Sequence, residues 1–413
     1  MSNKLPLKDH REIGQEQDLF VVSGLVGGGL PLFTPKGFII RREIENFIRQ
    51  LQSPYNYQEV WVPHMAKPDL YKKSGHFEKY PEKFTVKSSM GDEFILKPVN
   101  CPHHFEIFAS RPRSYKDLPI AYTEFSTTYR DEQSGELNGL LRVRSISVDD
   151  CHIFVRKDQL QSEVMKVYKT ISGFYAKFNF GVRIRLSLRD PNNKDKYLGD
   201  DQAWAEAEKS LKEIASHISE DTFEGLGEAA IYGPKIDFMI KDSLDREWQM
   251  GTIQLDFIMP ERFELRYINE SGKEELPVVI HRAIAGSFER FMGVLIEQYQ
   301  GAFPVWLSPV QVKIVPIAER HNERAQKILE EFSSSNLPAG RQSIRAEIDT
   351  RPETMQSKIR DAEVQKIPYV LIIGDREIES QTVSVRSRNA GDMGVLKISE
   401  FISQIEDEIV SRS

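Results

Sequence analysis

The chain has 413 residues, of which 40% are hydrophobic and 28% charged, and its formal net charge is −7. This length predicts two or three domains, and the mixed charges are typical of a soluble globular protein. The negative net charge argues against nonspecific coating of nucleic acid, although a local basic face is compatible with it.

The first elements in chain order are a helix and a strand. Residues 37–52 place Ile40, Ile44 and Ile48 along one helical face. A short polar turn follows, and "QEVWVPHM" then alternates like a strand that ends at Pro63.

Strand-like segments predominate in the middle of the chain. Strands are predicted over 93–99, 120–132, 141–155 and 277–283, with a further strand-rich stretch over 227–268. Helical spacing appears over 159–180 and again in the apolar stretch 284–299. Runs of strands with helices at a few places predict an α+β domain built on an antiparallel sheet, rather than βαβ repeats.

The pattern changes near "GAFPVWLSPV", where glycine and proline mark a linker over 301–309. From Val310 onward strands alternate with helices, which predicts a separate, smaller α/β domain. We therefore divide the chain into domains over 1–300 and 310–413. The polar stretch 333–342 is predicted to be a surface loop.

The cellular location follows from what the sequence lacks. Two cysteines, Cys101 and Cys151, are too few for a disulfide-scaffolded secreted fold and suit a reducing compartment. The N-terminal segment has no apolar signal core, and no apolar run is long enough to cross a membrane. A cytoplasmic protein is predicted.

Cys101 lies in "NCPHH", beside His103 and His104. A metal thiolate and a small buried thiol are both compatible with this stretch. The chain has no CxxC or HExxH pattern, so a metal site would need ligands that are distant in sequence.

Arginines form the second group of candidate functional residues. "YRDEQSGELNGLLRVR" places Arg130, Glu132 and Arg142 around a glycine-containing turn between two strands. Guanidinium groups pair bidentately with phosphate oxygens, so this hairpin fits a polyphosphate clamp, and equally a hairpin whose charges pair with one another. Arg290 lies in an apolar helical run, where a buried carboxylate or a ligand would neutralise it.

Taken in order, these stretches resemble the class II aminoacyl-tRNA synthetases, and within them the threonine-specific branch. The segment that ends at Pro63 is similar to the family's first motif, "YRDEQSGELNGLLRVR" to the second and "PVVIHRAIAGSFERFMG" to the third. "NCPHH", "DDCHIF", "YGPKIDF" and "WQMGTIQLDF" are similar to stretches of the threonine enzymes. The resemblance implies a class II catalytic domain, followed by an anticodon-binding domain with a mixed sheet.

The resemblance implies one zinc ion per subunit, held by Cys101, His152 and His281. A thiolate and two neutral imidazoles are favoured zinc ligands, and three protein ligands leave one position open for the substrate. His103, His104 and Cys151 are then not ligands.

The implied reaction joins threonine to ATP, giving threonyl-adenylate, and transfers threonine to the 3′ end of tRNA(Thr). Threonine would meet Asp150, Tyr232 and Gln254, and the zinc would distinguish its hydroxyl group from the methyl group of valine. By resemblance, ATP with Mg²⁺ would be bound by these five residues: Arg130, Glu132, Arg142, Gln249 and Arg290.

Two further sets of residues concern tRNA. His76, in "SGHFEKY", matches a histidine that helps to deprotonate the tRNA ribose, and we expect it to be exposed in a polar loop. Glu379, Arg386 and Arg388 match positions that contact the anticodon, where single-stranded bases expose their edges. A charged edge strand that discourages aggregation is the alternative explanation.

Three residues depart from the family's pattern, and one domain of the family has no counterpart in this chain. Both kinds of difference concern substrate specificity. Val148 stands where a glutamine is usual, Ile146 where an aromatic residue stacks on adenine, and Val99 where methionine is common. Nothing in the chain resembles the family's editing domain, so we expect measurable seryl-tRNA formation unless a separate editing protein is a partner. The resemblance also implies a homodimer formed through the region around Pro63.

Two other functions fit parts of the pattern. A class II synthetase for proline or serine would share the motifs but mostly lack the Cys/His/His set. A non-catalytic paralogue that binds tRNA would not need Arg130, Glu132 and Arg290.

Overall fold

The computed structural model describes residues 7–218, 221–335 and 343–412. It divides into two compact units. The larger unit comprises Gly24–Leu30 and Phe47–Gly293, and the smaller comprises Met1–Ser23, Pro31–Asn46 and Val294–Ser413. The predicted domain boundary at 301–309 therefore stays a prediction, since the smaller unit also includes N-terminal residues.

An eight-stranded sheet forms the centre of the larger unit. In spatial order its strands are Thr222–Leu226, Val182–Leu188, Lys235–Lys241, Glu247–Asp256, Val278–Ser287, Ser145–Val155, Ile120–Tyr129 and Tyr57–Glu59. The first pair and the last pair are parallel, and the five pairings between them are antiparallel. The predicted α+β class with an antiparallel sheet is confirmed.

Helices and two small ladders complete the larger unit. The helices lying wholly within it are Pro68–Ser74, His76–Lys79, Cys101–Ala109, Leu160–Ala176, Asp201–Ala215 and Met259–Arg262. The ladders join Met65–Ala66, Glu93–Leu96 and Thr85–Lys87, and Tyr267–Ile268 with Glu274–Glu275. Leu160–Ala176 buries Val164, Val167, Ile171 and Phe174, the spacing that puts side chains on one helical face.

The smaller unit contains a mixed five-stranded sheet, as expected for an anticodon-binding domain. Its spatial order is Ala346–Ile348, Val312–Pro316, Tyr369–Ile373, Thr382–Ser387 and Gly391–Lys397. The first three strands are parallel, and the remaining pairings are antiparallel. Its other elements are the helices His10–Glu16, Asn322–Ser333, Met355–Val364, Asp375–Glu379 and Ile398–Ser411, and a ladder of Phe20–Val21 with Leu32–Phe33.

Two long helices have residues assigned to both units. They are Pro35–Gln52 and Phe288–Tyr299. Both correspond to apolar helical patterns in the sequence. Within the residues that the structure describes, no helix combines the length and apolar character needed to cross a membrane.

Several elements differ from the sequence predictions. Residues 227–234 form turns with an isolated bridge between Ala230 and Gly233, and no regular strand. The strand Val278–Ser287 continues through Gly286, whose φ is +69°, before the helix begins at Phe288. The helix Asp201–Ala215 and the strand Gly391–Lys397 are additional to the prediction. Of the predicted loop 333–342, residues 336–342 lie outside the described part of the chain.

Candidate functional site

A cavity of about 170 Å³ opens on the eight-stranded sheet of the larger unit. Its walls include seven of the predicted site residues: Cys101, Arg130, Asp150, His152, Tyr232, Gln254 and His281. Val99 and Val148, two of the departures from the family pattern, also line it. A larger cavity of about 900 Å³ lies near Tyr115 and Tyr267, but none of the predicted site residues lines it.

The three predicted metal ligands meet at this cavity. Cys101 is the first residue of the helix Cys101–Ala109, and His152 and His281 are register partners on adjacent antiparallel strands. One ligand atom from each residue lies within 4.8 Å of the others, and all three residues are buried. A thiolate with two imidazoles is a donor set that suits Zn²⁺, so these residues fit the predicted metal.

Burial changes the protonation of two of these ligands. It raises the pKa of the Cys101 thiol well above its ordinary value, and lowers the pKa of His152 well below its ordinary value. His152 is therefore neutral at neutral pH, which is the form that binds a metal. Cys101 has to lose its proton when a metal binds.

A second layer of polar groups surrounds the ligands. His281 Nε2 lies 2.9 Å from Asp256 Oδ2, and His152 Nδ1 lies 2.8 Å from His104 Nδ1. These contacts leave His281 Nδ1 and His152 Nε2 as the nitrogens available to a metal. Carboxylates and other acceptors commonly orient metal-binding histidines in this way.

The neighbours of Cys101 in sequence have different environments. His103 is buried, and neither of its ring nitrogens has a hydrogen-bond partner in the described structure. Cys151 is buried in the core. His104, which we expected to be uninvolved, contacts His152 directly. Its position one helical turn after Cys101 is the signal that could have pointed to it.

The predicted threonine-binding residues border the metal-ligand set. Gln254 is the register partner of His281, and its Nε2 has no hydrogen-bond partner within the described residues. The ring of Tyr232 lies 5.2 Å from that of His281, and its hydroxyl group lies 3.7 Å from Cys101 Sγ. Unsatisfied buried polar atoms at a cavity are typical of a site that binds a polar ligand.

Asp150 is held by a residue that the sequence analysis missed. Asn100 Nδ2 donates to Asp150 Oδ2 at 3.0 Å, and Ser126 Oγ donates to Asn100 Oδ1 at 3.1 Å. Desolvation raises the pKa of Asp150. Asn100 immediately precedes Cys101, so the residue that holds Asp150 and the predicted metal ligand are neighbours at the start of one helix.

His76 is not the exposed loop residue that we expected. It begins the helix His76–Lys79 and is 1% exposed, and its ring lies 5.4 Å from that of Tyr232. Burial lowers its pKa to about 3. The reason is tertiary packing: a polar sequence gave no sign that Tyr80 and Tyr232 would cover this ring.

Three arginines of the second and third motifs lie close together. Burial and the positive charges of Arg130 and Arg142 lower the pKa of Arg290. Arg290 Nε donates to Leu141 O at 3.1 Å, and its guanidinium lies 5.7 Å from the centre of the Trp248 ring. Arg142 is itself paired with Glu132 and Glu136, so the electrostatic cost falls mainly on buried Arg290, and an anionic ligand would relieve it.

Two predicted ATP-binding side chains form hydrogen bonds with other residues of the protein. Glu132 Oε2 accepts from Arg142 Nη2 at 2.8 Å. The Gln249 side chain accepts from Arg185 and donates to Asp237 and Thr252, at distances of 2.8, 2.9 and 3.1 Å. Gln249 therefore faces a hydrogen-bonded cluster with buried Asp237, and its role towards ATP stays a prediction.

The predicted anticodon residues lie in the smaller unit. Glu379 ends a short helix and is exposed, as is Arg386 on the strand Thr382–Ser387. This strand is not the sheet edge that we expected, because Gly391–Lys397 pairs with it. Arg388 donates to the carbonyl groups of Lys366 and Phe303 at 2.5 and 2.7 Å, so its guanidinium is held by the protein's own backbone.

Comparisons with known proteins agree with this architecture. Residues 84–299 match the model of the tRNA synthetase class II core domain (G, H, P, S and T), and residues 311–408 match the anticodon binding domain. The "Threonine--tRNA ligase" of Chloroherpeton thalassium is 47% identical over 412 residues, and that of Cytophaga hutchinsonii is 46% identical over 409 residues. Each match covers 98% of this chain and 62% of the relative, so the chain spans less than two thirds of their length.

Solved structures of tRNA synthetases are also similar to this chain. A crystal structure described as the RNA binding domain of threonyl-tRNA synthetase from Cryptosporidium parvum is 34% identical, with a TM-score of 0.90, over 97% of this chain and 98% of that one. Prolyl-tRNA synthetase from Giardia lamblia, 18% identical with a TM-score of 0.74 over 98% of this chain and 81% of that one, shares the fold. The chain belongs to the class II tRNA synthetases, in the family of the threonyl-tRNA synthetases.

Proposed function

We propose that this chain activates L-threonine with ATP and transfers it to the 3′ end of tRNA(Thr). The observation that carries the proposal is the convergence of Cys101, His152 and His281 beside Gln254 and Tyr232 in one cavity. A synthetase needs a pocket for an amino acid next to a cationic site for ATP. Arg130 lines the same cavity and provides the link to the arginine group.

The metal-ligand set supports selection of threonine by its hydroxyl group. Cys101, His152 and His281 would hold the zinc ion, which would supply a Lewis-acid contact for polar groups of the substrate. We infer that Asp150, which accepts from Asn100, also accepts a hydrogen bond from the substrate hydroxyl group, and that Gln254 Nε2, without a partner in the described structure, donates one to the substrate. Valine has no hydroxyl group for this site, and a site that engages a hydroxyl group rejects such an analogue far better than an apolar pocket does.

The arginine group supports the first reaction step. The carboxylate of threonine attacks the α-phosphorus of ATP, pyrophosphate leaves, and an acyl–phosphate bond forms. Arg130, Arg142 and Arg290 stabilise the negative charge of the phosphates, with Mg²⁺ accompanying ATP. Glu132 would exchange part of its pairing with Arg142 for the amino group of adenine.

In the second step we assign His76 a role other than that of the base that deprotonates the tRNA ribose. A histidine with a pKa of about 3 is neutral at pH 7 and is a weak base. Its buried Nε2 has no partner in the described structure, so it would accept a hydrogen bond from the tRNA ribose once the covering rings of Tyr80 and Tyr232 move aside. We therefore assign His76 to orienting that hydroxyl group.

The partners of this activity are tRNA(Thr) and a second copy of the chain. Glu379 and Arg386 are exposed in the anticodon-binding domain and supply polar contacts for unstacked bases. Trp61 is 73% exposed two residues before Pro63, and a large exposed aromatic residue supports a protein interface in this region. A cytoplasmic location is part of the same proposal.

The decisive experiment is ATP–pyrophosphate exchange with threonine, serine, valine and proline, each with and without a zinc chelator. We expect the strongest exchange with threonine, almost none with valine, and loss of the threonine signal after metal removal. Exchange that is strongest with proline would support the related synthetase instead. Absence of exchange with every amino acid, in a protein that still binds tRNA, would support the non-catalytic paralogue.

A further inference from the structure

We propose that His104 and Glu124 are positioning residues that fix the orientation and the tautomer of His152 for metal binding. This inference rests on the proposed zinc site. His104, from the "NCPHH" stretch, and Glu124 are not among the three proposed ligands.

The contacts form a chain across three elements. His104, on the helix Cys101–Ala109, places Nδ1 2.8 Å from Nδ1 of His152. On the other side of the His104 ring, Nε2 lies 3.6 Å from Glu124 Oε2. Glu124 lies on the strand Ile120–Tyr129, and its second oxygen accepts the backbone N–H of Val62 at 2.8 Å.

Burial limits the polar groups that His104 and Glu124 can contact. His104 is fully buried, and Glu124 is 4% exposed. His104 Nε2 and Glu124 Oε2 form no hydrogen bond in the described structure, and their separation of 3.6 Å makes them polar neighbours within the core. The Lys97 ammonium group, 3.9 Å from Glu124, balances the charge of the carboxylate.

Proton positions follow from the contacts. With His152 Nε2 available to the metal, His152 Nδ1 carries the hydrogen and donates it to His104 Nδ1. His104 must then carry its hydrogen on Nε2, which faces the Glu124 carboxylate. Each ring is thereby restricted to one tautomer, as in carboxylate–histidine–metal triads, with one additional imidazole between the carboxylate and the ligand.

A purely structural role is the alternative. The rings of His104 and His152 are perpendicular with centroids 4.7 Å apart, so an aromatic residue could satisfy the packing alone. Two substitutions of His104 distinguish the packing role from the positioning role. His104→Phe keeps the ring and removes the acceptor, whereas His104→Asn loses the ring but keeps an oxygen acceptor near the position of Nδ1.

The test is zinc affinity, measured by competition with a chromophoric chelator in the full chain. We expect His104→Phe to weaken zinc binding about 10–100-fold, the range typical of lost outer-shell contacts. His104→Asn should retain much more of the affinity than His104→Phe, and Glu124→Gln should fall between His104→Phe and the wild type. His103→Phe is the matched control, because His103 is the adjacent buried histidine and its ring nitrogens make no hydrogen bond in the part of the chain that the structure describes.

A second measurement separates positioning from folding. The absorption bands of the cobalt-substituted protein should shift in His104→Phe and stay unchanged in His103→Phe. Circular dichroism of the metal-free proteins should show equal folding of the two variants.

The outcomes distinguish this inference from the proposed function. A wild-type chain that binds no zinc would overturn both. Wild-type binding together with equal affinity in His104→Phe and His103→Phe would overturn only the positioning role. Equal losses in His104→Phe and His104→Asn would also overturn it, because the acceptor would then be irrelevant.

Discussion

His152 and His281 are register partners on two neighbouring antiparallel strands, and their ring centroids lie 4.6 Å apart. Backbone pairing therefore fixes their separation before any metal binds. Cys101 reaches them from the start of a helix outside the sheet. The candidate metal site would thus combine a rigid pair of ligands with a third that depends on helix packing.

Replacement of Cys101 tests the ligand assignment. We expect Cys101→Ser to lose zinc and threonine activation together, because a hydroxyl group is a much poorer zinc ligand than a thiolate. Metal content and pyrophosphate exchange are the measurements. His103→Ala should keep its metal, since the His103 ring nitrogens make no hydrogen bond within the described residues. Retention of full zinc content by Cys101→Ser would contradict the assignment.

The pH dependence of zinc binding follows from the two shifted pKa values. The raised pKa of Cys101 means that the thiol keeps its proton in the metal-free protein and releases it on binding. The lowered pKa of His152 means that this ring is already neutral and releases no proton when the metal binds. Affinity should therefore rise with pH, by about tenfold per pH unit between about pH 7 and pH 9. Chelator competition at several pH values measures the slope, and a flat profile would show that the thiol is already ionised.

Arg290 should matter for ATP more than for threonine. Arg290→Ala removes one of three close guanidinium groups, and we expect kcat for pyrophosphate exchange to fall about 10²–10³-fold, as for the loss of one preorganised donor. The KM for ATP should rise as well. Arg183→Ala is the control, because Arg183 makes an exposed ion pair with Asp221 on the same unit. An unchanged kcat in Arg290→Ala would exclude a role in stabilising charge.

Asp149 should be essential for stability. It accepts from Arg282 Nη1 at 3.1 Å and from the backbone N–H groups of Ile284 and Ala285 at 2.6 and 3.0 Å, and both charged groups are almost fully buried. Asp149→Ala leaves the Arg282 charge unpaired, which should lower the free energy of unfolding by about 3–5 kcal/mol.

Denaturant unfolding measures this loss. Asp158→Ala is the comparison, because Asp158 makes an exposed pair with Arg156, and its removal should cost at most about 1 kcal/mol. Similar losses in the two variants would show that burial of the Asp149 pair has no special weight.

The sequence by itself determined the fold class and the family. Alternating strands such as Ile120–Tyr129 and the helical face of Ile40, Ile44 and Ile48 are periodic patterns, and such patterns depend mainly on local residue spacing. Resemblance, and not spacing, selected Cys101, His152 and His281 as ligands, because no local motif connects three residues so far apart.

Only the tertiary structure decided what surrounds each candidate residue. It buried His76, turned Gln249 towards Asp237, and attached Arg388 to backbone carbonyl groups. It also brought His104 onto His152. The physical reason is that burial and hydrogen bonding depend on residues from other elements, and these contacts determine pKa and orientation without leaving a periodic signal in the sequence.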